Sequence, residues 1–70
     1  MMLEFEIIGE KIELFKLLKA AGLCESGGQA KEFIASGLVT VDGAPERRKR
    51  FKVRKGRVVE LSGVAEVKCV

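Results

Sequence analysis

The stretch ERRKRFKVRKGR, residues 46 to 57, offers one kind of chemistry, the binding of a polyanion. Eight of the eleven positions from 47 to 57 are cationic: Arg47, Arg48, Lys49, Arg50, Lys52, Arg54, Lys55 and Arg57. A guanidinium presents a planar fork that matches phosphate oxygens, and an ammonium supplies a compact point charge. Arg48, Arg50, Lys52 and Arg54 alternate with Phe51 and Val53. That alternation predicts a half-buried strand with a cationic outer face, and it assigns Phe51 to the core. Alternate residues of a strand lie about 6.6 to 7 Å apart, close to the phosphate spacing along a nucleic-acid strand. The bland alternative is a solvated face that keeps a sheet edge from pairing.

No second chemistry competes with this one. The chain has no His, Trp or Tyr, and Ser26, Ser36 and Ser62 have no evident base, so no catalytic residues are assigned and an enzyme is not expected. Cys24 and Cys69 are too far apart for a Cys-x-x-Cys pair and have no His to join them, so neither a metal site nor a cofactor is expected. The opening MMLEFEIIGEKIEL carries acidic residues where a secretion signal needs a basic start. Both cysteines are therefore read as reduced thiols of a cytoplasmic protein. No apolar run approaches the roughly 20 residues of a membrane-spanning helix.

Charge is divided unevenly along the chain. Residues 1 to 46 carry four Lys/Arg against eight Asp/Glu, and residues 47 to 70 carry nine against two, giving −4 and +7 around the formal net charge of +3. Such a split points to nucleic acid first and an anionic membrane surface second, and charge alone does not separate them.

The rest of the chain supplies the elements that must position those cations. Seventy residues suffice for one domain, 1–70, that buries about 60% of its unfolded surface. Ile12, Phe15 and Leu18, with Leu14, Leu17 and Ala21, recur at helical spacing and predict a first helix over roughly 10 to 21. Gly22 ends it, with Leu23 folding back on the helix end. Ser26 and Gln29 form a capping box that opens a second helix. Ala30, Phe33 and Ile34 line that helix and Gly37 closes it. Leu38 to Val41 switches to period two and runs into the Asp42-Gly43 turn. After the basic strand come a Lys55-Gly56 turn, a strand at RVVEL, a Ser62-Gly63 turn and a last strand at VAEVKCV. Two helices followed by strands are the parts of an α+β fold.

This order of parts resembles the S4-type RNA-binding domain over residues 12 to 62. The elements that carry the resemblance are Leu14-x-x-Leu17-Leu18, the Ser26 cap, Ala30, Ile34-x-x-Gly37, Val39-x-Val41-Asp42-Gly43 and Val53-x-x-Gly56. Glu25-Ser26-Gly27-x-Gln29-Ala30-Lys31 and Asp42-Gly43-x-x-Glu46-x-Arg48-Lys49-Arg50 look most like the small stand-alone YbcJ-like proteins. The resemblance implies the αL architecture, two helices on a short curved sheet, with RNA lying across the second helix and the loop and strand after it. It adds Lys31, Asp42 and Gly43 to the candidate residues 47 to 57. Many family members carry Arg at the starts of both helices, where this chain has Glu13 and Gly27. More of the binding is therefore expected to rest on residues 47 to 57.

The expected function is that of a non-catalytic module gripping structured RNA, ribosomal or transfer, in translation or ribosome assembly, with the ribosome as a candidate partner. A monomer is expected, with no membrane and no small-molecule substrate. With no aromatic stacking platform assigned, shape and phosphates are what remain to be read. Duplex DNA fits less well, because neither helix carries a basic, base-reading face. The rival of a different class is a protein-interaction adaptor whose basic face answers an acidic protein or lipid surface.

Overall fold

The computed structural model describes residues 1–70. In chain order its elements are β1 (Met2–Phe5), β2 (Lys11–Glu13), α1 (Leu14–Ala20), α2 (Gly27–Ala35), β3 (Val39–Val41), β4 (Ala44–Pro45), β5 (Lys52–Arg54), β6 (Val58–Leu61) and β7 (Ala65–Cys69).

Period-two alternation builds the larger sheet, whose strand order is β1-β7-β6-β3-β4. Only β1 and β7 run parallel; the other neighbours are antiparallel. The register sets Leu3, Val67, Val59 and Val41 side by side on the inner face, while Met2, Glu66, Glu60 and Thr40 form the adjacent row on the outer face. Both helices cover the inner face. Leu14, Leu17 and Leu18 of α1 and Ala30 and Ile34 of α2 are fully buried in one cluster with Val39, Val41, Val53, Val59, Leu61 and Val67. Each large aliphatic side chain buried this way contributes about 1.5–3 kcal/mol. No polar or charged residue is buried, so the chemistry lies on the surface.

The helix ends follow the sequence signals closely. The Gly22 amide donates to Lys19 O and the Leu23 amide to Leu18 O, a Schellman closure with Gly22 at φ +81°. Gly37 and Leu38 repeat the arrangement on Ile34 O and Phe33 O. At the start of α2 the Gln29 amide donates to Ser26 Oγ at 3.1 Å, and Gln29 Oε1 accepts from the Glu25 amide at 2.8 Å. The box thus reaches back one residue further than the usual pairing. Asp42 and Gly43, at φ 51° and 87°, make the two-residue turn between β3 and β4.

Two of the predicted elements differ from the sequence reading. The predicted first helix, 10–21, begins only at Leu14, because Lys11–Glu13 is extended and pairs antiparallel with Lys52–Arg54 as a separate two-stranded sheet. Ile12 contacts the core from that strand, so its spacing to Phe15 mimicked one more helical turn. The predicted basic strand is likewise shorter. Only Lys52–Arg54 is strand, and residues 46–51 form a loop with a turn at Lys49 and Arg50. Phe51 is half-buried against the core rather than inside it. β1 was not foreseen.

Candidate nucleic-acid interface

The basic loop is tied to the start of α1 by its own backbone. The first amides of a helix have no partner within the helix, and Glu13, the N-cap, makes no side-chain cap. The carbonyls of the loop take that place: the Leu14 amide donates to Phe51 O at 2.9 Å and the Phe15 amide to Lys49 O at 3.1 Å. Residues 49 to 51 are held in position by backbone geometry, which leaves the Lys49 and Arg50 side chains exposed while Phe51 packs against the core.

Glu13 then organises the cations around it. Its carboxylate, with the side chain only 15% exposed, accepts from Lys52 Nζ at 2.9 Å and lies 3.3 Å from Lys16 Nζ and 3.5 Å from an Arg50 guanidinium nitrogen. The Lys52 hydrogen bond above all, with Lys16 beside it, holds the Glu13 carboxyl well down, at about 2. One carboxylate thereby draws Lys16, Arg50 and Lys52 together from a helix, a loop and a strand.

Phe15, on the first turn of α1, gathers a second set. Its ring is half-buried, with Lys31 Nζ 4.7 Å from the centroid, the Arg50 guanidinium carbon at 5.8 Å and Lys16 Nζ at 5.9 Å. All three lie within cation–π range. Lys31 of α2 therefore shares one surface with the basic loop.

The other candidates divide by their partners. Arg48 lies over Phe51 at 5.1 Å and makes a two-pronged pair with Glu46, at 2.9 and 3.0 Å, which holds the Glu46 carboxyl below its usual range. Arg47 turns to the C-terminal end of α2, where its guanidinium lies 3.5 Å from Ala35 O, at the outer limit of a hydrogen bond. That end carries the negative pole of the helix dipole. Lys49, Arg54 and Lys55 are exposed and pair with no carboxylate, and Lys31 also has none. Asp42 accepts from the Val58 amide at 2.9 Å and Arg57 at 2.7 Å, and these bonds lower its carboxyl in that order. Asp42, Gly43 and Arg57 thus form a separate group at the β3–β4 turn, where Asp42 locks the turn to β6.

Cys24 and Cys69 are free and buried, and burial pushes both thiols up, which suppresses the reactive thiolate. No helix is long and apolar enough to cross a membrane.

The arrangement is a cationic surface laid over the junction of two helices, a short loop and a two-stranded ribbon. Residues 5–68 match the S4 domain family. This chain belongs to the S4 domain family. Among its relatives, "Putative RNA-binding protein YbcJ" of Escherichia coli (strain K12) is 54% identical over 52 residues, which are 74% of each chain. "Probable ribosome maturation protein RlbA" of Bacillus subtilis (strain 168) is 38% identical over 61 residues, 87% of this chain and 86% of that one. The solution structure of E. coli YbcJ, described as revealing an αL motif involved in RNA binding, superposes with a TM-score of 0.63 at 43% identity. It covers 96% of this chain and 85% of its own. The α+β fold with two helices on a sheet agrees with that S4 neighbour.

The sequence reading passed over Phe15, Lys16 and Glu13 as site residues. Phe15 and Lys16 were legible as an aromatic beside a cation in ELFKLLK, but helical spacing assigned Phe15 to the buried stripe. The role of Glu13 depends on its place opposite Lys52 in the β2–β5 ladder, which no local pattern announces.

Proposed function

We propose that this chain is a non-catalytic RNA-binding module that grips structured RNA, ribosomal or transfer, in translation or ribosome assembly. The observation that carries the reading is the convergence of Lys16, Lys31 and Arg50 on one ring, beside a loop whose backbone is pinned to α1. A pinned loop presents its charges without the ordering cost of a disordered basic tail. The name of the E. coli relative supports RNA, and that of the B. subtilis relative supports the ribosome. In this reading Lys31, Lys49, Arg50, Lys52 and Arg54 meet phosphates directly. Arg48 meets them beside Glu46, Lys55 extends the track, and Arg47, Asp42, Gly43 and Arg57 border it.

The test is competition for the protein between a folded ribosomal RNA fragment, a transfer RNA and a DNA duplex of matching length. The reading expects a folded RNA to win over the duplex DNA. Equal competition by DNA would reduce the site to a generic polyanion surface.

A further inference from the structure

We propose that the Phe15 ring is a stacking platform for one unpaired nucleobase, with Lys31 and Arg50 holding the flanking phosphates. The inference rests on the RNA-binding reading and adds what charge alone does not supply, a preference for RNA with an unpaired base over fully paired RNA.

Three observations carry it. Phe15 stands apart from its helix neighbours: Leu14, Leu17 and Leu18 are fully buried, whereas Phe15 is only partly buried at the edge of the core, with cations over its ring. Those cations come from three segments, and Lys31, the nearest to the ring centre at 4.7 Å, has no carboxylate partner. Its ammonium is therefore free to move from the ring to a phosphate, vacating the aromatic surface it overlies. Finally, Gly27 of α2 lies beside the ring and puts no side chain against it. A Cβ built there would touch ring carbons Cδ2 and Cε2 at 3.7 Å, so any longer side chain at 27 would lie against the ring. A residue at that position other than glycine would cover part of the platform.

Phe51 is the other aromatic beside a cation, and it fits the role less well. Its guanidinium neighbour, Arg48, is held by two hydrogen bonds to Glu46 and a third bond ties the Arg48 amide to the same carboxylate. A base over Phe51 would meet a fixed ion pair, whereas a base over Phe15 meets, nearest the ring centre, the Lys31 ammonium, which no carboxylate holds.

Stacking of a base on an aromatic side chain, measured by truncation, corresponds to roughly five- to 150-fold in affinity. The full chain and two variants, Phe15→Leu and Phe15→Trp, are titrated with an RNA hairpin carrying an unpaired loop and with a fully paired RNA duplex of equal phosphate count. The chain has no Trp or Tyr, so the Phe15→Trp indole is a lone reporter. The hairpin is expected to lose at least fivefold affinity for Phe15→Leu while the duplex changes less than twofold. Phe15→Trp is expected to keep hairpin binding and to show fluorescence quenching by the hairpin and not by the duplex. Hairpin affinity within twofold of wild type for Phe15→Leu, an equal loss for both RNAs, or quenching by the two alike would overturn the platform and leave the cationic surface standing. If Phe15→Leu fails to fold, the quenching of Phe15→Trp decides alone. Wild-type protein that binds neither RNA would overturn the RNA-binding reading and the platform with it.

Discussion

Glu13 and Lys52 stand directly opposite each other across the β2–β5 ladder, and the Lys52 ammonium donates to the Glu13 carboxylate at 2.9 Å. Opposite charges at facing positions favour that register, and this one fixes where the strand segment of the basic stretch sits relative to α1. The same carboxylate also neighbours Lys16 and Arg50. It is the point at which the fold and the proposed RNA surface depend on one side chain.

Acid is expected to loosen this junction. The Glu13 carboxyl lies at about 2 in the folded chain against an ordinary 4.5. Its contribution to stability is therefore fully present above about 4.5 and is lost as pH falls toward 2. Asp42 and Glu46, also lowered, add in the same direction. Thermal melts of the wild type should show a falling midpoint over that window, and Glu13→Gln should flatten the fall while lowering the midpoint at neutral pH.

Neutralising the loop should separate binding from folding. Arg48, Lys49 and Arg50 changed together to Gln removes three cations whose side chains are exposed. Gln is preferred to Glu because a new carboxylate at 48 or 50 would face Glu46 or Glu13. Stability should change by no more than about 0.5 kcal/mol per site, because the hydrogen bonds that hold the loop use its backbone carbonyls. RNA titration is expected to show binding abolished or nearly so. Wild-type affinity in a folded triple variant would place the RNA surface elsewhere.

Core substitutions should rank by burial rather than by size. Leu17 is fully buried, and Leu17→Ala should cost about 2–5 kcal/mol. Phe51 is only partly buried, so Phe51→Ala should fall below the roughly 3–5 kcal/mol of a fully buried Phe. Denaturant titration of both variants checks the order. A Phe51→Ala cost in the fully buried range would restore Phe51 to the interior.

The sequence was most informative where structure is local. The Ser26–Gln29 box, the glycine closures at Gly22 and Gly37 and the Asp42-Gly43 turn each involve residues within five of one another, and all appear where the residue types indicate. It was least informative where partners are distant. The alternation of Leu3, Phe5 and Ile7 runs through β1 and just past it, yet the pairing of β1 with β7 joins the two ends of the chain. Lys11–Glu13 becomes strand because of Lys52–Arg54, some forty positions later. The loop at 46–51 illustrates a limit of periodicity itself. Alternating Arg48, Arg50 and Lys52 satisfies a strand pattern, but the amides of α1 need the carbonyls of Lys49 and Phe51, and that demand bends the chain before β5. For the candidate site, the cations were legible from charge, whereas the ring that collects them was hidden in a helical stripe.

The salt dependence of RNA affinity tests the central claim most directly. Phosphate contacts release bound counterions, so the slope of log affinity against log salt counts them. With Lys31, Lys49, Arg50, Lys52 and Arg54 as the main contacts, about four to six neutralised phosphates predict a slope of roughly −3 to −5 between 50 and 300 mM salt. A slope near zero over that range would contradict a phosphate-gripping cationic surface.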